Sequence, residues 1–173
     1  MKLSAIALAS ALVLPAAAMA QGVTDAQIAS IVVTANQVDI DAGNFAKTRA
    51  KNRTVKDFAE QMVTDHTGVN KQATELAAKL KVTPEDNPTS QSLKSGGEAN
   101  IAKLKTLSGA DFDKAYIDHE VTYHQAVLDA LDKTLVPGAK NEELKALLVK
   151  TRPAFVAHLE HAKHVQSELS GKK

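Results

Sequence analysis

The chain has 173 residues, 44% of them hydrophobic, with 21 Lys and Arg against 20 Asp and Glu and no Cys. So even a charge balance argues against a nucleic-acid binder, which needs a surplus of positive charge to meet phosphates. The absence of Cys excludes a disulfide framework, thiolate metal ligands and a lipid-modified N-terminal cysteine.

Residues 1–20 have the composition of an export signal. Lys2 is a short positive region, Leu3 to Leu14 is an apolar run, and Ala18-Met19-Ala20 is a small-x-small cleavage site. The run is too short to span a membrane, and no later stretch is apolar enough to be a transmembrane segment. Removal of residues 1–20 leaves 21–173, a length suited to one domain with its own core. Lys2 is the only charge in the signal, so the remainder balances at zero. The expected location is the periplasm or the cell exterior, and no protein partner is identifiable.

Beyond Gly22 the apolar pattern is helical. Thr24-Asp25-Ala26-Gln27 is a capping box. It opens a helix with the stripe Ile28, Ile31, Val32, Ala35, Val38, Ala42, Phe45 and Ala46. Lys51-Asn52-Arg53 is a short polar link, after which Thr54 is expected to cap a second helix. Its stripe is Val55, Phe58, Met62, His66, Val69, Ala73, Leu76 and Leu80, ending before Pro84. A link this short makes the pair an antiparallel hairpin.

Pro84 to Gly97 is polar, with two prolines and a Gly-Gly pair, and reads as a crossover loop followed by a short helix to about Leu107. Asp111 starts a long helix with the stripe Ile117, Val121, His124, Leu128, Leu131 and Leu135, ending near Val136-Pro137-Gly138. The last helix runs from about Asn141 to Leu169, with the stripe Leu144, Leu148, Thr151, Phe155, His158, Ala162, Val165 and Leu169. Pro153 is expected to kink it. The fold class is all-α: a four-helix bundle with one crossover connection and a short extra helix.

Three of these stripes contain one histidine each: His66, His124 and His158. On the first helix Asp39 lies on the seam Ile28, Val32, Ala35, Asp39, Ala42, Ala46. A buried imidazole left without partners costs about 1–3 kcal/mol, and a buried unpaired carboxylate costs more. The four groups therefore hydrogen-bond one another around water or coordinate a cation. Three imidazoles and an acid suit a divalent transition metal (zinc, copper or iron) better than calcium or magnesium.

Depth along the bundle favours Asp39 opposite His66. With Val136-Pro137-Gly138 as the second turn, His124 lies thirteen residues before Pro137 and His158 twenty-one after it. The mismatch of eight residues is about 12 Å, so His119 is held as a reserve ligand that would meet His158 better. Asp65, Glu120 and His161 complete the reserve set.

Each residue also has a plainer reading. A lone core histidine is more often a satisfied polar group than a ligand. His158, His161 and His164 fit helix-dipole complementation on a solvated face. Glu120 and His124, at i and i+4, fit either an outer support for a ligand or a helix-stabilising contact. Tyr116 and Tyr123 fit core-edge packing. Asp65 projects about 100° away from His66 and suits an inter-helix partner better than a ligand.

No Glu-x-x-His occurs, so a carboxylate-bridged di-iron centre is not expected. There is no phosphate-binding glycine loop, no nucleophile elbow and no haem-attachment motif either. No enzymatic reaction is assigned. Two readings stay open: a metal-binding bundle serving in metal handling or envelope stress protection, and a structural or interaction module whose buried histidine network binds no metal.

The segments Val38–Gly43 (VDIDAG), Phe45–Ala50 (FAKTRA), Thr54–Thr67 (TVKDFAEQMVTDHT), Phe112–His124 (FDKAYIDHEVTYH) and Arg152–Ala162 (RPAFVAHLEHA) resemble an exported bacterial family, domain of unknown function 4142. The resemblance implies a ferritin-like four-helix bundle, periplasmic or outer-membrane associated, with no established activity. It places the family's Asp-His on Asp65 and His66, its later core histidines on His124 and His158, and its first-helix acid on Asp39. Where the family has Asp-His on the fourth helix, this chain has Tyr123-His124.

Overall fold

The computed structural model describes residues 22–171, and the expected export signal lies outside them. Four long helices, α1 (Asp25–Arg49), α2 (Arg53–Lys79), α4 (Gly109–Ala130) and α6 (Glu142–Leu169), form a bundle. α1 packs along α2 and α4 along α6, while α3 (Pro88–Lys105) lies against α1. Among the described residues no helix is long and apolar enough to cross a membrane.

The helix ends follow from local hydrogen bonding. Thr24 and Gln27 form the reciprocal capping box at the start of α1. The cap of α2 is Asn52 rather than Thr54. The Asn52 side-chain oxygen accepts from the backbone N–H of Thr54 and of Val55. Asn87 caps α3 in the same way with Pro88 at its first position, so the helix begins inside the polar stretch and runs through the Gly-Gly pair. α6 runs unbroken through Pro153, which is exposed.

Two carboxylates pin the turns. Asp113 of α4, buried, accepts from the backbone N–H of Lys51 at 3.0 Å and of Asn52 at 2.8 Å, tying the α1–α2 turn to α4. Asp25 accepts from the N–H of Lys140 at 2.8 Å and of Asn141 at 3.0 Å, tying the other turn to the start of α1.

That second turn lies later than Pro137. After α4 the backbone widens into a π-helical turn, Leu131–Leu135, then makes one more α turn, α5 (Val136–Gly138). The centre of the connection is Lys140, midway between Gly138 and Glu142. His124 then lies sixteen residues before it and His158 eighteen after, so the expected depth mismatch largely vanishes.

Two apolar clusters fill the bundle, one above the other. One holds Ala46, Phe58, Met62, Phe112, Ile117 and Val165, and the other Ile28, Ile31, Leu128, Leu131, Leu148 and Phe155. On every long helix the junction between them falls at a buried polar residue: Asn36 and Asp39, His66, Glu120 and His124, and His158. The candidate site is thus a polar layer between two dry layers.

Glycines set how closely α1 is approached. A Cβ on Gly43 would meet Val63 Cγ2 at 2.9 Å and the Ala59 carbonyl at 3.0 Å, so α1 and α2 touch there by backbone. A Cβ on Gly97 of α3 would meet both Val38 methyls, at 2.9 and 3.0 Å, whereas one on neighbouring Gly96 would meet nothing within 4 Å. Valine has few χ1 choices in a helix, so Val38 has little freedom to yield. Gly96→Ala is therefore expected to raise stability by about 0.5–1 kcal/mol through helix propensity. Gly97→Ala is expected to lower it by about 1 kcal/mol through overpacking. Urea denaturation of both variants checks this; shifts of the same sign would contradict the contact.

Candidate metal centre

The three imidazoles converge. Ring centroids of His66 and His124 are 5.6 Å apart, His66 and His158 5.1 Å, and His124 and His158 5.4 Å. All three are at most 3% exposed. Phe155 stands against His66 and His124, with centroids at 5.2 and 6.1 Å, and covers the trio with an apolar ring. Asp39 comes in from α1, its Oδ2 3.2 Å from His66 Nε2 and 3.9 Å from His124 Nε2.

Each ring is held by one nitrogen only. His66 Nδ1 lies 2.7 Å from the side-chain oxygen of Asn36, whose amide nitrogen donates to the Val32 carbonyl at 2.8 Å. That donor is committed, so the Asn36 oxygen faces the ring, and an amide oxygen only accepts. His66 therefore carries its proton on Nδ1. His124 Nδ1 donates to the backbone carbonyl of Glu120 at 3.0 Å. His158 Nε2 donates to the Asp65 carboxylate at 2.9 Å.

The other nitrogens, His66 Nε2, His124 Nε2 and His158 Nδ1, are then lone pairs. All three are buried without a hydrogen-bond partner among the described residues. One ring nitrogen from each of the three histidines lies within 4.8 Å of the other two. Outer nitrogen tethered and inner nitrogen free is the arrangement that orients imidazoles toward a metal.

A second acid completes the layer. Glu120, fully buried, joins Asp39 and His124 in a group whose ligand atoms also lie within 4.8 Å of one another. Glu120 hydrogen-bonds with the Asp39 carboxyl on one side and the Tyr116 hydroxyl on the other. The layer thus gathers three ring nitrogens and two carboxyls in one small buried volume. A cation shared by these donors would replace the protons that the two acids otherwise hold.

Protonation follows from burial. It pushes His66 down to about 2, helped by the nearby His124 and His158, and His124 down to about 4, helped by His158. His158 is lowered too, with Asp65 opposing. Asp39 is pushed up to about 7, and Glu120 is raised well above the usual range by burial and by Asp39 beside it. The trio is neutral at pH 7, and the two acids resist ionising together unless positive charge sits between them.

The remaining sequence candidates separate. Glu120 belongs to the site, and Asp65 is the outer support of His158. His161 is in neither group of converging ligand atoms among the described residues: its Nδ1 pairs with Gln61 Oε1 at 3.0 Å, and its ring meets Phe58 edge-on at 5.1 Å. Nor does His119 meet His158. It stacks on Tyr123 at 5.7 Å and lines a groove between α3 and α4. The α4–α6 turn at Lys140, not Pro137, is the reason.

His158 leaves the solvated-face reading of its cluster, whereas His164 keeps it, exposed and paired with Glu168 at 3.2 Å. Tyr116 is central to the core rather than at its edge, whereas Tyr123 is half-buried and donates to the Ala35 carbonyl at 2.9 Å. Asn36 is the functional residue that the apolar stripes pass over. Its signal is its place three residues before Asp39 and four after Val32, on the same face.

The acid response of the metal-free protein follows with its sign. The three histidines are depressed below the ordinary imidazole value, so their contribution is full above about pH 6.5 and is lost as pH falls. Asp39 is raised to about 7, so it favours the folded state as pH falls from there through the ordinary carboxylate range, and Glu120, raised as well, acts in the same direction. Asp39 therefore offsets part of what the histidines lose on acidification. Metal-free protein is expected to lose stability in urea denaturation between pH 6.5 and 4.5, and Asp39→Asn, which lacks the offset, to lose more. A flat profile for both would contradict these assignments.

The comparisons with known proteins agree with the sequence resemblance. No curated protein and no solved structure matches the chain. The profile of one family, described as a domain of unknown function (DUF4142), matches residues 10–165. With most of its length inside that match, the chain belongs to the DUF4142 family.

Proposed function

We propose that this chain is an exported, periplasmic, ferritin-like protein that binds one divalent transition metal in its core and serves in metal handling. His66 Nε2, His124 Nε2, His158 Nδ1 and Asp39 would hold the ion, with Glu120 as the further carboxylate. The observation that carries the reading is the three convergent lone pairs, each fixed by a hydrogen bond on the far side of its ring.

Charge supports the same reading. Three neutral imidazoles and two carboxylates match a dication at zero net charge, which a buried site requires. Both carboxyls are raised, so loading the site drives their protons to solvent, and affinity rises with pH. The donor set favours zinc, copper or ferrous iron over calcium or magnesium, which prefer all-oxygen shells. A bound ion would supply Lewis acidity or, if redox-active, one-electron chemistry. The residues themselves supply binding, orientation and exclusion of water, the last through Phe155.

Protein purified without a polyhistidine tag, stripped with chelator and titrated with zinc, copper(II) or ferrous iron is expected to take up one ion per chain and release protons. His66→Ala is expected to weaken uptake by at least about 100-fold, and Asn36→Ala by about 10–100-fold through loss of ring orientation. Metal analysis and calorimetry check both. A folded wild type that takes up none of the three ions would remove the proposal and leave a histidine network that only sets the register of the bundle.

A further inference from the structure

Beside the polar layer lies a cavity of about 250 Å³. An apolar void of about 150 Å³ is enough to stay dry and bind benzene, so this one has room for a larger hydrocarbon. Its walls come from all four long helices, α3 and the π-helical turn, chiefly Ile31, Leu93, Val127, Leu131, Leu135 and Leu148. Among the described residues no charged one lines it.

The polar side chains in the wall are already engaged. Asn36 is committed to Val32 and His66, the Tyr123 hydroxyl to the Ala35 carbonyl, and the Thr151 hydroxyl to the Leu147 and Leu148 carbonyls. The fourth, Thr89, is exposed. An occupant inside therefore meets few polar groups and no charged partner among the described residues, and a charged group entering the cavity would lose hydration without a counter-charge to replace it.

The backbone is built around the space. Leu131 and Leu135, first and last residues of the π-helical turn, both line it. There the N–H of Val136 bonds the Leu131 carbonyl five residues back, widening the helix where an α turn would close it. Such insertions recur at functional sites. At Ala126, exposed, and Ala130, half-buried, two small residues one turn apart on α4 leave a mouth open to solvent.

We propose that this cavity is a binding site for a compact uncharged hydrocarbon, a ligand site separate from the metal donors and independent of the metal reading. The probe pair is naphthalene and 2-naphthoate, which share a ring system and differ by one carboxylate. The chain has no Trp, so naphthalene fluorescence is read without interference from it.

On chelator-stripped full-length protein, naphthalene is expected to bind below its solubility limit and raise Tm. The 2-naphthoate anion is expected to bind at least about tenfold more weakly. Ala130→Phe, and Ala126→Phe at an exposed position that leaves the core intact, are each expected to weaken naphthalene binding at least tenfold while circular dichroism stays helical. The inference is overturned if naphthalene does not bind, if both probes bind equally, or if both folded variants keep wild-type affinity. Because the protein is stripped, failure of the metal reading leaves these outcomes unchanged.

Discussion

The hydrogen bond on the outer nitrogen of each core histidine is the interaction on which the site depends. An imidazole has two nitrogens and, when neutral, one proton. Asn36 Oδ1, the Glu120 carbonyl and the Asp65 carboxylate claim that proton on His66, His124 and His158 respectively. What points inward is therefore a lone pair in every case. Three lone pairs repel each other and offer nothing to Asp39 unless Asp39 is protonated or a cation intervenes. His66 Nε2 and Asp39 Oδ2 lie 3.2 Å apart, close enough for a protonated Asp39 to donate to the ring when no cation is bound.

The bundle brings these groups to one height by constraints remote from them. Asp113 ties the α1–α2 turn to α4, and Asp25 ties the α4–α6 connection to the start of α1. Each carboxylate fixes the longitudinal register of one hairpin against a helix of the other. Gly43 and Gly97 then let backbones approach where any side chain would hold them apart. The apolar clusters above and below exclude water, and the same exclusion drives the histidines down and the two acids up. Stability and chemistry pull in opposite directions here: the layer that could hold an ion is also the layer that weakens the empty bundle.

Much of this was legible in the residues. Helical periodicity placed His66, His124 and His158 on seams because a 3.6-residue repeat survives any small error in helix ends. Asp39 was legible for the same reason. The depth of His158 was not, because Pro137 reads as a stop while the chain goes through a π-helical turn and one more α turn before reversing. Asn87-Pro88 carried a cap signal hidden inside a polar stretch that resembles a loop. Asn36 and Asp113 escaped because apolar stripes are read by hydrophobicity. A polar residue that shares the buried face is then invisible unless its partner is known. Glu120 sat one step from recognition, at i+3 from Ile117 and i−4 from His124, yet a glutamate on a helix is ordinarily a solvated residue.

Nitrogen-15 NMR of the imidazole side chains in metal-free protein at neutral pH tests the central claim most directly, since it reads which nitrogen of each ring carries the proton. The account expects His66 and His124 as the Nδ1–H form, the less common tautomer in water, and His158 as the Nε2–H form. Finding His66 and His124 protonated on Nε2, or any of the three as an imidazolium at pH 7, would mean that the inward nitrogens are not free lone pairs and that the site is not arranged for a cation.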